Sequence, residues 1–239
     1  RIQVPLTPYE NPDTSLFEIG IDEVGRGPLL GRVYAAAVIL PKTDSFKYSL
    51  MKDSKKFTSK KKIMEAFDYI KEYAVAWAVE YEDEKTIDQI NILQATQSAM
   101  HKCIKKILSY NLYLNPTNTT LLVDGNYFNS YNTYSSTESK FQSYNHTCIK
   151  GGDNVMCCIA AASILAKVSR DDYIEKLCNE HPKLCQHYSI DTNKGYGAKK
   201  HIDGIKEHGI TPWHRHSFGL CKNYNISDDY INDNKDDSS

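Results

Sequence analysis

The chain has 239 residues, 41% hydrophobic and 25% charged, enough apolar material for one generous globular body or one body with an appendage. No apolar run reaches the 18 residues a membrane helix needs, and the opening RIQVPLTPYENPD lacks the apolar stretch of a secretory signal, so a cytoplasmic protein away from membranes is expected. Seven cysteines, an odd number without a CxxC pair, predict reduced thiols, mostly small core residues, rather than a disulfide framework. The net charge of −1 is unevenly spread: residues 223–239 hold five Asp and one Lys, which leaves the rest of the chain at +3.

Apolar runs bounded by turn residues predict a first strand over residues 16–22 and a second over 32–40, separated by a glycine-rich corner. The stretch KYSLMKDSKKFTSKKK, residues 47–62, packs seven lysines into sixteen residues and reads either as a phosphate-facing patch or as a solvated loop and first helical turn. A helix follows over 58–73, a strand over 74–81, a long helix over 86–110 and a strand over 119–124. Residues 129–145 read as a polar loop, 145–150 as a strand, 155–180 as a helix and 199–208 as another. In VMCCIAAASILAKV the small residues predict a helix lying close on a sheet. From residue 225 on there is too little apolar surface to fold, and a disordered acidic tail is expected. Strands that begin as a hairpin and then alternate with helices predict an α/β fold, a mixed five-stranded sheet flanked by helices, with a C-terminal helical extension. The expected division is an extension at 1–15, a main α/β domain at 16–180, a helical extension at 181–220 and the tail at 221–239.

Four acids fall at the ends of predicted elements: Asp22 and Glu23 after the first strand, Asp124 in LLVDGN, and Asp153 in KGGDN. Taken singly, Asp124 also reads as a turn former and Asp153 as a helix cap. Adjacent strand residues point to opposite faces, so Asp22 and Glu23 share a target only if the backbone leaves the pleat there. Gathered together, four carboxylates form a hard oxygen set suited to Mg²⁺ or Mn²⁺ rather than zinc. The chain lacks the GxxxxGK[ST] loop of a nucleotide hydrolase, and mutually repelling acids argue against a purely binding role. Cys178, His181, Cys185 and His187 have ligand types, but their spacing matches no zinc pattern.

The stretches IGIDEVGRGPLLG, MKDSKKFT, IDQINILQATQSAM, LLVDGN, KGGDNVMCCIAAASILAKVSRD and KGYGAKKHIDGIKEHGITPWHRHSF stand in the order and approximate spacing of one family. Over residues 18–218 the chain resembles type 2 ribonuclease H, the bacterial ribonuclease HII. The resemblance implies a ribonuclease H-like fold and an endoribonuclease with two divalent ions, Mg²⁺ or Mn²⁺, held by Asp22, Glu23, Asp124 and Asp153. It implies cleavage 5′ to a ribonucleotide in RNA/DNA hybrids and in duplex DNA carrying single ribonucleotides, by a monomer serving replication and repair. It assigns ribose contact to the backbone of Gly25, Arg26 and Gly27 and to Tyr196, and substrate contact to Ser54, Lys55, Lys56, Asn91, Gln94, Ser163, Lys167 and Arg170. Arg170 is also able to pair with Asp171 or Asp172. This chain departs from the family pattern at Leu30, at Arg32, at Ala198 and in the extra glycine of KGGD, which leaves Asp153 ten residues before Ser163.

Overall fold

The computed structural model describes residues 5–231, which form two compact units. The first takes the chain up to residue 24, then 34–81 and 96–169; the second takes 25–33, 82–95 and the chain from 170 on.

Among the described residues seven strands run in chain order: β1 (Phe17–Val24), β2 (Val33–Ile39), β3 (Ala76–Glu82), β4 (Thr119–Asp124), β5 (Asn132–Ser135), β6 (Lys140–Ser143) and β7 (Asn145–Ile149). The first unit is built on a five-stranded sheet of them in the order β3-β2-β1-β4-β7. β1 pairs antiparallel with β2 and parallel with β4, and β4 pairs parallel with β7, so the sheet is mixed as expected. Alternation along the strands divides the core. Ile19, Ile21, Ala35, Ala37, Leu121 and Val123 pack on Ala99, Met100, Cys103, Ile104 and Ile107 of helix α2 (Glu84–Tyr110). Ala36, Val38 and Leu122 on the other face meet α1 (Lys60–Tyr73) through Ala66 and Ile70, and the apolar first half of α3 (Cys157–Glu180).

The small-residue stripe of α3 does what its composition predicts. A Cβ placed on Gly20 of β1 would stand 2.3 Å from the carbonyl carbon of Cys158 and 2.6 Å from the nitrogen of Ile159, so strand and helix backbones meet there directly. All seven cysteines are free, five of them buried.

Three expectations are corrected. The stretch 129–145 is not wholly loop: β5 and β6 form an antiparallel hairpin, its Tyr134 paired with Phe141 and their rings edge to face at 5.4 Å. Cross-strand aromatic contact holds a ribbon that its polar neighbours conceal. The long helix α2 is interrupted at Asn91, whose φ of 66° and ψ of 164° are not helical, and whose Oδ1 caps the N–H groups of Leu93 and Gln94. The C-terminal stretch is not a disordered tail from residue 221 or from 225: a 3-10 turn over Gly219–Asn223 buries Cys221, Ile226 bridges to Ile210, and a last helical turn, Asp228–Ile231, buries Tyr230 while Asp229 pairs with Lys183 at 2.8 Å. Two apolar anchors suffice for residues 226–231 to fold; the remainder of the tail lies outside the described residues.

The second unit gathers α4 (Lys183–Tyr188), α5 (Ile190–Asn193), α6 (Lys199–His208) and the C-terminal half of α3 around Leu30, Ile174, Leu177, Leu184, Tyr188, Ile190, Ile205 and Tyr230. Among the described residues, no helix is long and apolar enough to cross a membrane.

Candidate active site

Parallel register brings the acids to one end of the sheet. Ile21 lies opposite Val123, and the next residues along β1 and β4 are Asp22 and Asp124. Asp124 lies opposite Ile149 of β7, four residues before Asp153 in the 3-10 turn Gly152–Asn154. Three neighbouring strands therefore deliver carboxylates at their C-terminal ends, where α/β sheets build their sites.

Asp22 is only 4% exposed; its Oδ1 accepts the Glu23 N–H at 2.7 Å, and the Ser163 hydroxyl of α3 also bonds its carboxylate. Burial above all, then the charges of Glu23 and Asp124, pushes the Asp22 carboxyl well above the usual range. Asp153, also buried, is raised by burial and then by Asp53 and Asp124, against the opposing effects of Asn154 and Lys55. Asn154 Nδ2 donates to Asp153 Oδ1 at 2.9 Å and to Asp53 Oδ2 at 3.2 Å, and its Oδ1 accepts from the Lys56 ammonium. Asp53, placed by sequence in a lysine-rich backbone-contact segment, is thus a fifth carboxylate beside the group.

The two glycines of KGGD have separate tasks. Gly151 takes the left-handed φ of 66° that turns the chain out of β7, and Gly152 donates its N–H to Asp124 Oδ1 at 2.6 Å. β1 stays paired with β2 through Val24, so the expected break in the pleat is absent, yet Glu23 lies near enough for its charge to raise the Asp22 carboxyl. Among the described residues no three Asp, Glu, His or Cys side chains are drawn together tightly enough to hold an ion as they stand; the carboxylates interact in pairs. Their chemistry still fits a hard divalent cation: every donor is a carboxylate oxygen, and the raised Asp22 and Asp153 carboxyls mark like charges that a cation would relieve.

The second unit holds another polar constellation. Gly27 abuts Tyr196, whose ring carbon Cε1 would lie 3.6 Å from a Cβ placed there, and Tyr196 is 46% exposed. Two arginines back this corner. Arg170, 1% exposed, donates to the carbonyls of Arg32 at 3.2 Å, Leu30 at 3.3 Å and Lys194 at 3.0 Å. Arg215, fully buried, donates to those of Gly25, Arg26 and Gly31 at 2.5, 2.9 and 2.9 Å. Burial, then the neighbouring Arg170, lowers the Arg215 pKa to about 9, which leaves it charged at neutral pH.

Behind Tyr196 runs a chain of neutral histidines. The Thr211 N–H donates to His214 Nδ1 at 2.9 Å, which makes that nitrogen the acceptor; His214 Nε2–H then donates to His201 Nε2 at 2.9 Å, and His201 Nδ1–H donates to the Tyr196 carbonyl at 2.9 Å. A backbone amide can only donate, so it fixes both tautomers. Burial is the main cause that lowers both histidine pKa values, well below the ordinary range for His214.

The family profile of ribonuclease HII matches residues 19–221. A ribonuclease HII of Bacteroides thetaiotaomicron is 45% identical over 215 residues, covering 90% of this chain and 94% of the relative. The chain belongs to the ribonuclease HII family. Ribonuclease H2 of Pyrococcus horikoshii OT3 shares the fold, with a TM-score of 0.65 at 18% identity over 87% of this chain and 96% of that one. So does Bst-RNase HIII in complex with Mn²⁺, with a TM-score of 0.60 at 22% identity over 87% of this chain and 68% of that one. Membership of the ribonuclease HII family makes the protein a metal-dependent ribonuclease H endonuclease of RNA/DNA substrates.

Within this ribonuclease HII chain the residues singled out by sequence fall into groups. Asp22, Glu23, Asp124 and Asp153 come to one end of the sheet; Ser54 and Ser163 stand behind them, buried, with their hydroxyls 3.0 Å apart. Lys55 and Lys56 are exposed, and Lys167 is half-buried. Asn91 caps a helix segment, and Gln94 is exposed on it. Arg170 does not face outward, as a substrate contact would; backbone carbonyls hold it inside the second unit. Arg32, a departure from the family pattern, lays its guanidinium 4.4 Å from the Tyr173 ring centroid. Sequence reasoning missed Arg215, His201 and Asn154 as working residues. HRH in PWHRHSF was the available signal for Arg215, but a buried arginine is indistinguishable in sequence from a surface one.

Proposed function

We propose that this ribonuclease HII cuts the phosphodiester on the 5′ side of a ribonucleotide, in RNA/DNA hybrids and at single ribonucleotides embedded in duplex DNA, leaving a 3′-hydroxyl and a 5′-phosphate. The observation that carries the reading is the arrival of Asp22, Asp124 and Asp153 at the ends of three neighbouring strands, where burial first, and then neighbouring carboxylates that include Asp124, raise the Asp22 and Asp153 carboxyls. Asp22, Glu23, Asp124 and Asp153 would hold two divalent ions, Mg²⁺ or Mn²⁺, which when bound supply an activated water and charge stabilisation for the leaving oxygen. The protein's own groups orient the acids: Ser163 and the Glu23 N–H hold Asp22, Gly152 N–H holds Asp124, and Asn154 holds Asp153.

Recognition of ribose falls to the second unit. Backbone N–H groups of the 25–27 corner and the hydroxyl of Tyr196 are suited to a 2′-hydroxyl, which both donates and accepts. Lys55, Lys56 and other lysines of 47–62 contact phosphates, so affinity falls as salt rises. In this reading residues 181–220 serve as a substrate-binding extension, and the protein acts as a monomer in the cytoplasm, removing ribonucleotides during DNA replication and repair.

The test is a duplex DNA oligonucleotide with one internal ribonucleotide, incubated with Mg²⁺ or Mn²⁺ and either the wild type or Asp124→Asn. The wild type is expected to cut once, 5′ to the ribonucleotide, and the variant not at all. Equal cutting by both removes Asp124 from the chemistry, and cutting elsewhere removes the assigned specificity.

A further inference from the structure

Arg215 is a fully buried arginine whose three guanidinium nitrogens all donate to backbone carbonyls: Nε to Gly31, Nη1 to Arg26 and Nη2 to Gly25. Among the described residues every peptide bond is trans. In a planar trans peptide the C=O and N–H point in opposite directions. The Gly25 carbonyl shares its plane with the Arg26 N–H, and the Arg26 carbonyl with the Gly27 N–H. With both carbonyls drawn onto one guanidinium, both N–H vectors leave on the far side. Successive N–H groups turned the same way form a concavity for an anion or an electron-rich oxygen.

The corner does not hold this polarity by itself. Gly25 sits at φ +92°, and glycines on both sides of Arg26 permit the peptide planes to turn over readily. A planar fork that grips adjacent carbonyls and a third across the loop removes that freedom; a lysine ammonium, a point donor on a flexible stem, does not. The residue just before Arg215, His214, begins the histidine relay that anchors the Tyr196 carbonyl, so one dipeptide ties down both elements.

We propose that Arg215 is the positioning residue that sets the donor direction of the 25–27 corner, turning the Arg26 and Gly27 N–H groups toward a ribose oxygen of the nucleic acid. The proposal rests on the ribonucleotide-cleaving function above. It assigns discrimination between ribose and deoxyribose partly to a residue that never touches substrate.

The test uses two duplexes that differ by one 2′-hydroxyl, with wild type and Arg215→Lys in Mg²⁺. The KM and kcat are measured on the ribonucleotide duplex, and the all-DNA duplex is titrated as a competitive inhibitor to give its Ki. Arg215→Lys is expected to lower the ratio of Ki to KM about tenfold and to lower kcat, with Ki itself unchanged. An unchanged ratio, or a Ki that worsens in step with KM, overturns the proposal. Should the lysine variant not fold, ¹⁵N-glycine NMR of Asp124→Asn protein in Mg²⁺ decides instead: the Gly27 amide is expected to shift with the ribonucleotide duplex and not with the all-DNA duplex, and equal shifts overturn the proposal. Failure of the wild type to cut the ribonucleotide duplex would sink the proposed function itself, a result separate from either of these.

Discussion

Replacing Asp22 by asparagine is expected to stabilise the metal-free protein while abolishing its activity. The side chain is 4% exposed, and its two hydrogen bonds survive the exchange: the amide oxygen accepts the Glu23 N–H now 2.7 Å from Asp22, and the amide nitrogen donates to Ser163 Oγ, whose own proton can pass to Ser54 at 3.0 Å. What disappears is a buried charge beside Glu23 and Asp124. Removing such functional repulsion contributes about 1–2 kcal/mol. For a chain of this size that is about 2–8 °C in Tm. Because burial and like charge raise the folded pKa of Asp22, its ionisation opposes folding, and wild-type stability in EDTA should fall as pH climbs from the ordinary carboxylate range through the raised value. The amide that replaces it does not ionise, so the gap between the two proteins widens with pH. Magnesium reverses the order: bound at a hundredfold excess over its Kd it adds about 2.7 kcal/mol to the wild type and little to the variant. Calorimetry at pH 5 and 7.5, in EDTA and in Mg²⁺, reads all of this. A variant that melts below wild type in EDTA, or gains as much from Mg²⁺, refutes the electrostatic account of the site.

Gly20→Ala forces a methyl against the backbone of Cys158 and Ile159 at 2.3–2.6 Å, so a destabilisation of about 3 kcal/mol is expected in urea denaturation, and a loss below about 1 kcal/mol would show that strand and helix part easily. The buried pair His201 and His214, with folded pKa values below the ordinary 6.5, contributes stability that is complete above that value and is lost as pH falls through it, by about 1.4 kcal/mol per pH unit for each histidine. The acid limb of a stability profile should therefore be shallower for His214→Gln, and superimposable limbs would count against the relay. Tyr196→Phe removes one hydroxyl from a half-exposed ring and is expected to slow cutting at a single ribonucleotide about tenfold without changing affinity for all-DNA duplex; a parallel loss of affinity would point to packing instead of ribose sensing.

The strands of the sheet were legible in the sequence because period-two alternation and uninterrupted apolar runs such as VYAAAVI mark buried strands without reference to anything distant. The positions of Asp22 and Asp124 at strand ends were legible for a related reason, since each stands where an apolar run stops. Even the close approach of α3 to β1 was foreshadowed by CCIAAAS, whose small side chains have no other use on a buried helix. The hairpin of β5 and β6 was not, because its stability comes from one cross-strand pair of aromatics among polar residues. Nor was the fold of residues 226–231, where two apolar side chains suffice only because a hydrophobic cluster is already there to receive them.

Arg170 and Arg215 mark the deeper limit. A guanidinium is placed outside by default, since burying its charge is costly, and only the fold reveals that a loop far along the chain offers carbonyls to satisfy it. Local pattern determined which residues carry charge and which form the core. Direction, meaning which way a peptide plane turns at Gly25, which histidine nitrogen bears the proton, and which acid interacts with which, depends on groups brought together from distant parts of the chain and was decided by tertiary structure alone.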